Sequence, residues 1–267
     1  MRERQGDRVE RGKEMNIREY LSRIRLESLD PTPTFETLRS LQRAHLLAVP
    51  FENLDIHWKH PIVLDLEKFY GKIVTARRGG FCYELNGLFN ELLRQIGFQT
   101  RLVSARVFNG KGHGPEFDHA AIVATVGEEE YLVDVGFGAF TAEPLRFVVG
   151  DKQKDDSGIF VIRKYDADYL EVAKLDDSTW TSEYIFKDIS RDLQEFAEMC
   201  DFQQYSQDSH FRQGMLCSIM TEAGRKTLTD KSFIVTENGR KTETPINSDS
   251  EFYGLLAREF GIAAQPS

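Results

Sequence analysis

One cysteine of the chain stands where a thiol could act as a nucleophile. In the stretch RRGGFCYELN, residues 77–86, Gly79 and Gly80 lead into Cys82, where an apolar run with helical spacing begins. Free backbone N–H groups and the positive end of a helix dipole would then lie near the sulfur. Such a site lowers a thiol pKa from about 8.5 into a range of about 3.5–7.5. The other interpretation is a buried cysteine that serves only as a small hydrophobic side chain.

A thiolate nucleophile needs a base, and the base needs a group that orients it. His119 begins an apolar strand after PEFD, and Asp134 lies in the next apolar strand. An aspartate inside such a strand costs stability unless it is hydrogen-bonded, and pairing with a histidine would remove that cost. The alternative for Asp134 is an aspartate at the end of a turn that is bonded to backbone.

Simple strand geometry does not bring this histidine and aspartate together. If the hairpin turns near Glu128, Asp134 lies opposite Ile122, roughly 10 Å along the strand from His119 and on the wrong side of the pleat. A Cys–His–Asp triad would therefore require a bulge, a wider loop or pairing with a different strand.

The elements that must position these residues change in type along the chain. Apolar spacing predicts helices in the first hundred residues, with N-caps at Thr34 and Asp65 and a C-cap at Gly97. Short β runs follow, and the last part mixes helix and strand around an Asn-Gly turn. This order predicts an α+β protein with three lobes, at residues 16–100, 101–200 and 201–267. Residues 1–15 carry charges of both signs and are expected to form a disordered leader.

Composition narrows the partners of the 267-residue chain. Its net charge of −9 argues against a nucleic acid, because phosphate binding needs a basic face. No apolar run approaches the roughly 18 residues of a membrane span, and the charged N-terminus is unlike a signal peptide, so we expect a cytoplasmic protein without a membrane partner. The wide, irregular spacing of Cys82, Cys200 and Cys217 favours neither disulfides nor a metal site.

Three blocks of the sequence resemble the arylamine N-acetyltransferases. They are HLLAVPFENLDIH at 45–57, RRGGFCYELN at 77–86, and DHAAIVATV with YLVDVGFG inside 118–138. The resemblance implies an N-terminal helical bundle, a central β-barrel, a C-terminal α/β lid and a catalytic core like that of cysteine proteases. The chain is somewhat short for this family if it starts near Met15, and its third lobe is expected to be trimmed.

The resemblance implies roles for the three candidate residues. Cys82 would be the nucleophile, His119 the base and Asp134 the orienting carboxylate. The reaction would be a ping-pong transfer of acetyl from acetyl-CoA, through acetyl-Cys82, to an aromatic amine or a hydrazine, with O-acetylation of N-hydroxyarylamines as a further reaction. No metal is implied.

The resemblance also implies residues that bind the two substrates. Phe51, Phe137 and Phe202 would line the pocket for the flat acceptor, although ordinary core packing is the other interpretation of a phenylalanine. Gly136 and Gly138 form a glycine-rich turn after the aspartate, and CoA would run near it. Without the resemblance this G-x-G indicates only a turn.

Two residues are expected to support the site rather than to react. Arg78 would tie the loop before Cys82 to carboxylates or carbonyls such as Glu52. Asn86 lies one helical turn past the cysteine and would hydrogen-bond Asp134.

Two other functions fit the same residues. A transglutaminase-like thiol hydrolase or amidase has the same order of cysteine, histidine and aspartate, and a CoA-binding protein could keep the fold without the activity. The sequence leaves open the natural acceptor, the acyl-chain preference and the oligomeric state.

Overall fold

The first lobe is helical, as predicted. In this computed structural model, which describes residues 15–263, the lobe contains five helices and one very short strand: α1 (Ile17–Arg23), α2 (Phe35–Ala48), β1 (Phe51–Glu52), α3 (Leu54–Trp58), α4 (Leu66–Tyr70) and α5 (Cys82–Ile96). A π-helical turn, Gly71–Thr75, follows α4 directly. Apart from Met15, the predicted leader lies outside the described residues.

Local capping signals set the helix ends. The Thr34 side chain accepts a hydrogen bond from the backbone N–H of Thr37, and Asp65 accepts one from the N–H of Lys68. Gly97 ends α5 with a φ of 110°, a left-handed conformation that favours glycine. The three predicted caps are confirmed.

The second lobe is an antiparallel sheet of eight strands: β2 (Gln99–Val107), β3 (His119–Val126), β4 (Glu129–Val133), β5 (Leu145–Arg146), β6 (Lys152–Asp155), β7 (Gly158–Lys164), β8 (Leu170–Asp176) and β9 (Thr179–Phe186). The spatial order is β5-β4-β3-β2-β9-β8-β7-β6. The side chain of Gln153 on β6 bonds both the N–H and the C=O of Arg146 on β5. The two edge strands are thereby linked, so the sheet nearly closes into the predicted barrel.

The alternation along β3 joins the barrel to the helices. Ala120, Ile122 and Ala124 pack with the helical core, whereas Ala121 and Val123 belong to the barrel interior. Successive side chains of a strand point to opposite faces, so this single strand serves two cores. Helix α5 packs against β2 and β3.

The third lobe combines a sheet with two helices: α6 (Ala197–Tyr205), β10 (Leu216–Thr221), β11 (Gly224–Thr229), β12 (Ser232–Glu237), β13 (Arg240–Pro245) and α7 (Asp249–Phe260). Its sheet has the order β1-β10-β11-β12-β13, so β1 of the first lobe is an edge strand of the third. The Asn-Gly turn lies at Asn238 and Gly239, with φ values of 50° and 79°. The predicted lobe boundaries at 100/101 and 200/201 lie inside β2 and α6.

Among residues 15–263, no helix has the length and apolar character needed to cross a membrane.

Candidate active site

Cys82 is the first residue of α5. Phe81 precedes it in extended conformation, and its N–H donates to Glu84 Oε2 at 2.8 Å. This carboxylate satisfies one of the backbone donors that a helix start leaves unpaired. The cysteine is 3% exposed and therefore sits at the buried mouth of the helix.

The two glycines before the cysteine attach this loop to β1. The N–H of Glu52 donates to the Gly80 carbonyl at 2.9 Å, and the N–H of Gly80 donates to the Pro50 carbonyl at 3.2 Å. A Cβ atom on Gly79 would lie 2.3 Å from the Pro50 oxygen. Only glycine allows this approach without moving the backbone.

A buried charge cluster of five side chains lies beneath the loop. Arg78 pairs with Glu52 at 2.6 Å and with Asp55 at 2.5 Å, so it ties the loop to carboxylates as expected. Lys72 Nζ lies 2.6 Å from Glu84, 2.7 Å from Asp55 and 3.6 Å from Glu52. Burial lowers the pKa of Lys72, but its three carboxylate partners raise it to a net value above the ordinary one. Burial raises the pKa of Glu84, and Lys72 opposes that shift.

The predicted base and its carboxylate meet directly. His119 Nε2 lies 2.7 Å from Asp134 Oδ2, and both residues are buried. Asp134 Oδ1 accepts hydrogen bonds from Asn86 Nδ2 at 2.8 Å and from the backbone N–H groups of Gly136 and Phe137 at 2.9 and 3.0 Å. The carboxylate is therefore held from three directions.

The predicted register of the hairpin is wrong by one residue. Ile122 lies opposite Val133 because the loop between β3 and β4 consists of residues 127–128 alone. Strand β4 ends at Val133, and the same register extended by one residue brings Asp134 opposite Ala121, two residues from His119 and on the same face of the pleat. No bulge is needed, because the two-residue loop places the aspartate and His119 on one face of the hairpin.

Asn86 connects the helix to β3 and to the turn that follows β4. Its amide donates to the Ala120 carbonyl at 2.6 Å as well as to Asp134, and its oxygen accepts from the N–H of Val135 at 2.9 Å. The predicted bond between Asn86 and Asp134 is thus present. This one side chain fixes the first turn of α5, which carries Cys82, against the histidine–aspartate pair.

Two further contacts close the site around Cys82. Tyr83 Oη donates to the Phe117 carbonyl at 2.8 Å, just ahead of His119. A Cβ atom on Gly136 would lie 2.9 Å from the Cys82 carbonyl oxygen and 3.0 Å from its Cα. The turn after the aspartate therefore packs directly on the backbone of the cysteine, which is a structural reason for a glycine at 136.

The backbone N–H of Tyr83 at the helix start lowers the pKa of the Cys82 thiol, as the sequence suggested, but burial outweighs this effect. Burial raises the pKa of the Cys82 thiol well above its ordinary value, and the nearby Cys200, Asp118 and Asp134 raise it further. A proton acceptor beside the sulfur has to offset this cost. His119 carries a ring nitrogen, Nδ1, that Asp134 does not occupy.

Aromatic rings flank the site on two sides. The Phe137 ring lies 5.2 Å from the His119 ring and 5.3 Å from Tyr184, edge-on to both. On the other side, Phe51 lies 5.7 Å from Phe81, next to the cysteine. Phe51 and Phe137 are thus both near the triad residues.

The structure places a different third aromatic residue in this group. Phe202 is 38% exposed on α6, whereas Phe211 lies 4.6 Å from Phe81 and 6.2 Å from Phe51. The short segment Ser206–Gln213 folds back after α6 and brings Phe211 over the loop of the cysteine. Nothing local in the sequence distinguishes these two phenylalanines.

Sequence reasoning missed Tyr184. It is fully buried on β9, its hydroxyl lies 3.4 Å from Asp134 Oδ2, and its ring lies 5.7 Å from that of His119. It stands fifty residues from the aspartate, and only the pairing of β2 with β9 brings it there.

Gly138 has a φ of 95°, so the turn after the aspartate needs a glycine at this position too. Within the described part of the chain, no group of three or more histidine, cysteine, aspartate or glutamate side chains could hold a metal ion.

Comparisons with known proteins agree over most of the chain. A model of an N-acetyltransferase family matches residues 34–266. The chain is 34% identical to the arylamine N-acetyltransferase / N-hydroxyarylamine O-acetyltransferase of Salmonella typhimurium, over 91% of this chain and 87% of that relative.

Two solved structures share the fold. An arylamine N-acetyltransferase from Bacillus cereus, described as having a unique Cys-His-Glu catalytic triad, superposes with a TM-score of 0.86 at 31% identity, over 94% of this chain and all (100%) of that one. The Mycobacterium marinum enzyme in complex with CoA has a TM-score of 0.86 at 28% identity, over 92% and 93% of the two chains. The carboxylate on the histidine of the present chain is an aspartate. The family match, the shared fold and the joined cysteine, histidine and aspartate lead to one conclusion: the chain belongs to the arylamine N-acetyltransferases.

Proposed function

We propose that this enzyme moves an acetyl group from acetyl-CoA to an aromatic amine or hydrazine, with Cys82 as the carrier. One observation carries the proposal: the side chain of Asn86 on α5 hydrogen-bonds Asp134 and the Ala120 carbonyl. These bonds hold the start of α5, with Cys82, against the His119–Asp134 pair. A buried thiol, a histidine and a carboxylate in this order are the parts of a covalent acyl transfer.

The first half-reaction loads the cysteine. His119 accepts the thiol proton, and the Cys82 sulfur attacks the acetyl carbonyl carbon. The bond from that carbon to the CoA sulfur breaks, and His119 returns its proton to the leaving thiolate, so free CoA and acetyl-Cys82 form. Asp134 keeps the histidine ring oriented and stabilises its charged form.

The second half-reaction unloads the cysteine. The amine nitrogen attacks the thioester carbonyl, a proton passes from nitrogen to His119, and the bond to the Cys82 sulfur breaks. The resulting thiolate and imidazolium are the charge pair from which the next cycle starts. Amide formation from a thioester is downhill, whereas exchange between two thioesters is nearly balanced.

Phe51, Phe137 and Phe211 support a flat aromatic acceptor. The rings of Phe51 and Phe211 pack against Phe81, the residue before Cys82. The ring of Phe137 packs against His119. Such walls limit water at the acetyl thioester, which favours transfer over the competing thiol hydrolase. In this proposal Phe211 takes the place that the sequence suggested for Phe202. It stays a prediction that CoA runs near Gly136 and Gly138. The cytoplasmic location and the absence of nucleic-acid and membrane partners also stay predictions.

Mass spectrometry of the intact protein after acetyl-CoA tests the proposal. We expect a gain of one acetyl group, its discharge by an arylamine, and no gain in Cys82→Ala. Cys217→Ala is the matched control, because Cys217 is also buried but packs with α7 in the core of the third lobe. Acetylation of Cys82→Ala, or rapid release of more than one CoA per enzyme molecule without any amine, would contradict the transferase mechanism.

A further inference from the structure

Arg225 on β11 is a half-buried cation without an acidic partner among residues 15–263. Its one hydrogen bond there runs from Nη1 to the hydroxyl of Ser218, at 3.1 Å. Arg78, by contrast, pairs with two carboxylates, and Arg23 donates to four backbone carbonyls. Burial lowers the pKa of Arg225 to about 10, with no carboxylate to oppose the shift.

The side chain of Arg225 lies on the face of the sheet that is turned away from α7 and that carries Ser218 and Phe51. On β11 it alternates with Lys226, which bonds Glu259 of α7 on the opposite face at 2.9 Å. On the neighbouring strand, Met220 packs with the core that contains Cys82, while Cys217 packs with α7. Because side chains alternate along a strand, Arg225 and Lys226 point to opposite faces.

Backbone pairing connects this part of the sheet to the loop that precedes Cys82. Ser218 lies directly opposite Phe51, and Phe51 forms a bridge with Gly80 on its other side. Neighbouring strands lie about 4.8 Å apart, so Ser218 stands about 10 Å from the loop that leads into Cys82. The guanidinium bonded to Ser218 therefore lies on the sheet whose edge strand, β1, borders the cysteine loop.

We propose that Arg225, with Ser218, binds an oxyanion of a substrate. The source is either a phosphate of the CoA donor or a carboxylate on the aryl ring of the acceptor. A planar guanidinium matches both groups with paired N–H donors, and an anion would compensate the half-buried charge that residues 15–263 leave unpaired. This inference rests on the proposed acetyl transfer and names a chemical feature of its substrates.

Kinetics of Arg225→Gln with matched substrate pairs test the inference. The donor pair is acetyl-CoA and S-acetyl-N-acetylcysteamine, which lacks phosphate; the acceptor pair is 4-aminobenzoate and 4-methylaniline, which lacks the carboxylate. We expect the KM of the anionic substrate in one pair to rise about ten-fold or more. The KM of the neutral substrate in that pair should stay the same. Arg225→Lys should recover part of the loss.

Lys226→Gln is the matched control, since it removes a cation from the opposite face of the same strand. It should leave the KM values of all four substrates unchanged. A selective loss with acetyl-CoA identifies phosphate, and a selective loss with 4-aminobenzoate identifies a carboxylate. Equal losses with the neutral members, or no loss, would overturn the inference.

Calorimetry separates a failure of this inference from a failure of the proposed function. If the wild-type protein acetylated no amine, the proposed function would be wrong. The Kd values of CoA and of 4-aminobenzoate for wild type and Arg225→Gln would then decide alone: a weaker Kd for either ligand supports the anion site, and equal values for both refute it.

Discussion

Asp134 receives hydrogen bonds from three separate parts of the chain: Asn86 on α5, the backbone of its own turn, and His119 on β3. Tyr184 adds a longer contact from β9. Oδ1 accepts hydrogen bonds from the helix and the turn, and Oδ2 faces the histidine. The carboxylate therefore both assembles the site and orients the base.

We expect Asp134→Asn to lower kcat/KM by about 10³–10⁴-fold, as loss of the correct histidine tautomer does in a serine-protease triad. The three donors at Oδ1 require an acceptor, so the amide oxygen will occupy that position and the NH₂ group will face His119. Nε2 must then accept, the proton moves to Nδ1, and Nδ1 can no longer take the thiol proton. Steady-state kinetics at saturating acetyl-CoA measure the effect.

Asp134→Glu is the comparison variant, because it keeps an acceptor toward the histidine. It should retain more activity than the asparagine variant, and both should bind CoA with similar Kd values. An asparagine variant within ten-fold of wild type would show that the tautomer does not limit the reaction.

At the scale of elements, the start of α5 depends on charges rather than on a conventional cap. Phe81 offers no side-chain acceptor at the cap position, so Glu84 bonds back to its N–H. Lys72 holds Glu84 in place and shares the cluster with Asp55 and Glu52. Three carboxylates and two cations, Lys72 and Arg78, lie close together with little access to water.

Lys72→Met should destabilise the protein by about 3–5 kcal/mol, because it leaves buried carboxylates without a partner. Urea denaturation measures the free energy of unfolding. Lys68→Met is the control, since this exposed lysine on α4 contributes only its backbone N–H to the Asp65 cap, and we expect a change within about 0.5 kcal/mol. A loss below about 1 kcal/mol for Lys72→Met would mean that the cluster does not support the helix start.

At the scale of the whole molecule, the site lies where three lobes join. Asn53, beside β1, donates to the carbonyls of Phe211 and Gly214 at 2.9 Å each and accepts from the N–H of Leu216 at 2.7 Å. Arg43 on α2 bonds both Asp156 of the barrel and Glu222 of the third lobe. The lobes therefore hold one another at the edges of the site.

Glu183 on β9 should make the stability of the whole molecule depend on pH. Burial raises its pKa from 4.5 to about 7, with Lys174 lowering and Asp176 raising it. Between these two values the folded state keeps a proton that the unfolded state has lost, so the free energy of unfolding falls as pH rises through this window. Because Glu183 is partly exposed, solvent screening reduces the effect of its pKa shift on stability. We expect the free energy of unfolding to fall by about 1–2 kcal/mol across this window.

Glu183→Gln should remove that loss. Thermal or urea unfolding at pH 5 and pH 8 compares the variant with wild type, and their stabilities should converge at pH 5 and differ at pH 8, with the variant more stable. Glu128→Gln, in the exposed loop between β3 and β4, controls for a change of surface charge. Parallel pH profiles for Glu183→Gln and wild type would contradict the prediction.

The sequence alone predicted the features that short stretches determine. A glycine pair before an apolar helical run placed Cys82 at the start of α5, and the caps at Thr34, Asp65 and Gly97 each followed from a single residue. An aspartate inside an apolar strand indicated a buried partner, and the histidine is that partner. These signals work because helix ends, turns and strand periodicity depend on residues a few positions apart.

The tertiary structure decided how these pieces meet. The two-residue loop shifted the hairpin register by one, which placed Asp134 and His119 on the same face of the hairpin without a bulge. Tyr184 and Phe211 came to the site from β9 and the third lobe, far along the chain. Burial also reversed the pKa shift that the helix start suggested for Cys82. Each of these outcomes depends on long-range packing and desolvation, which leave no periodic trace in the sequence.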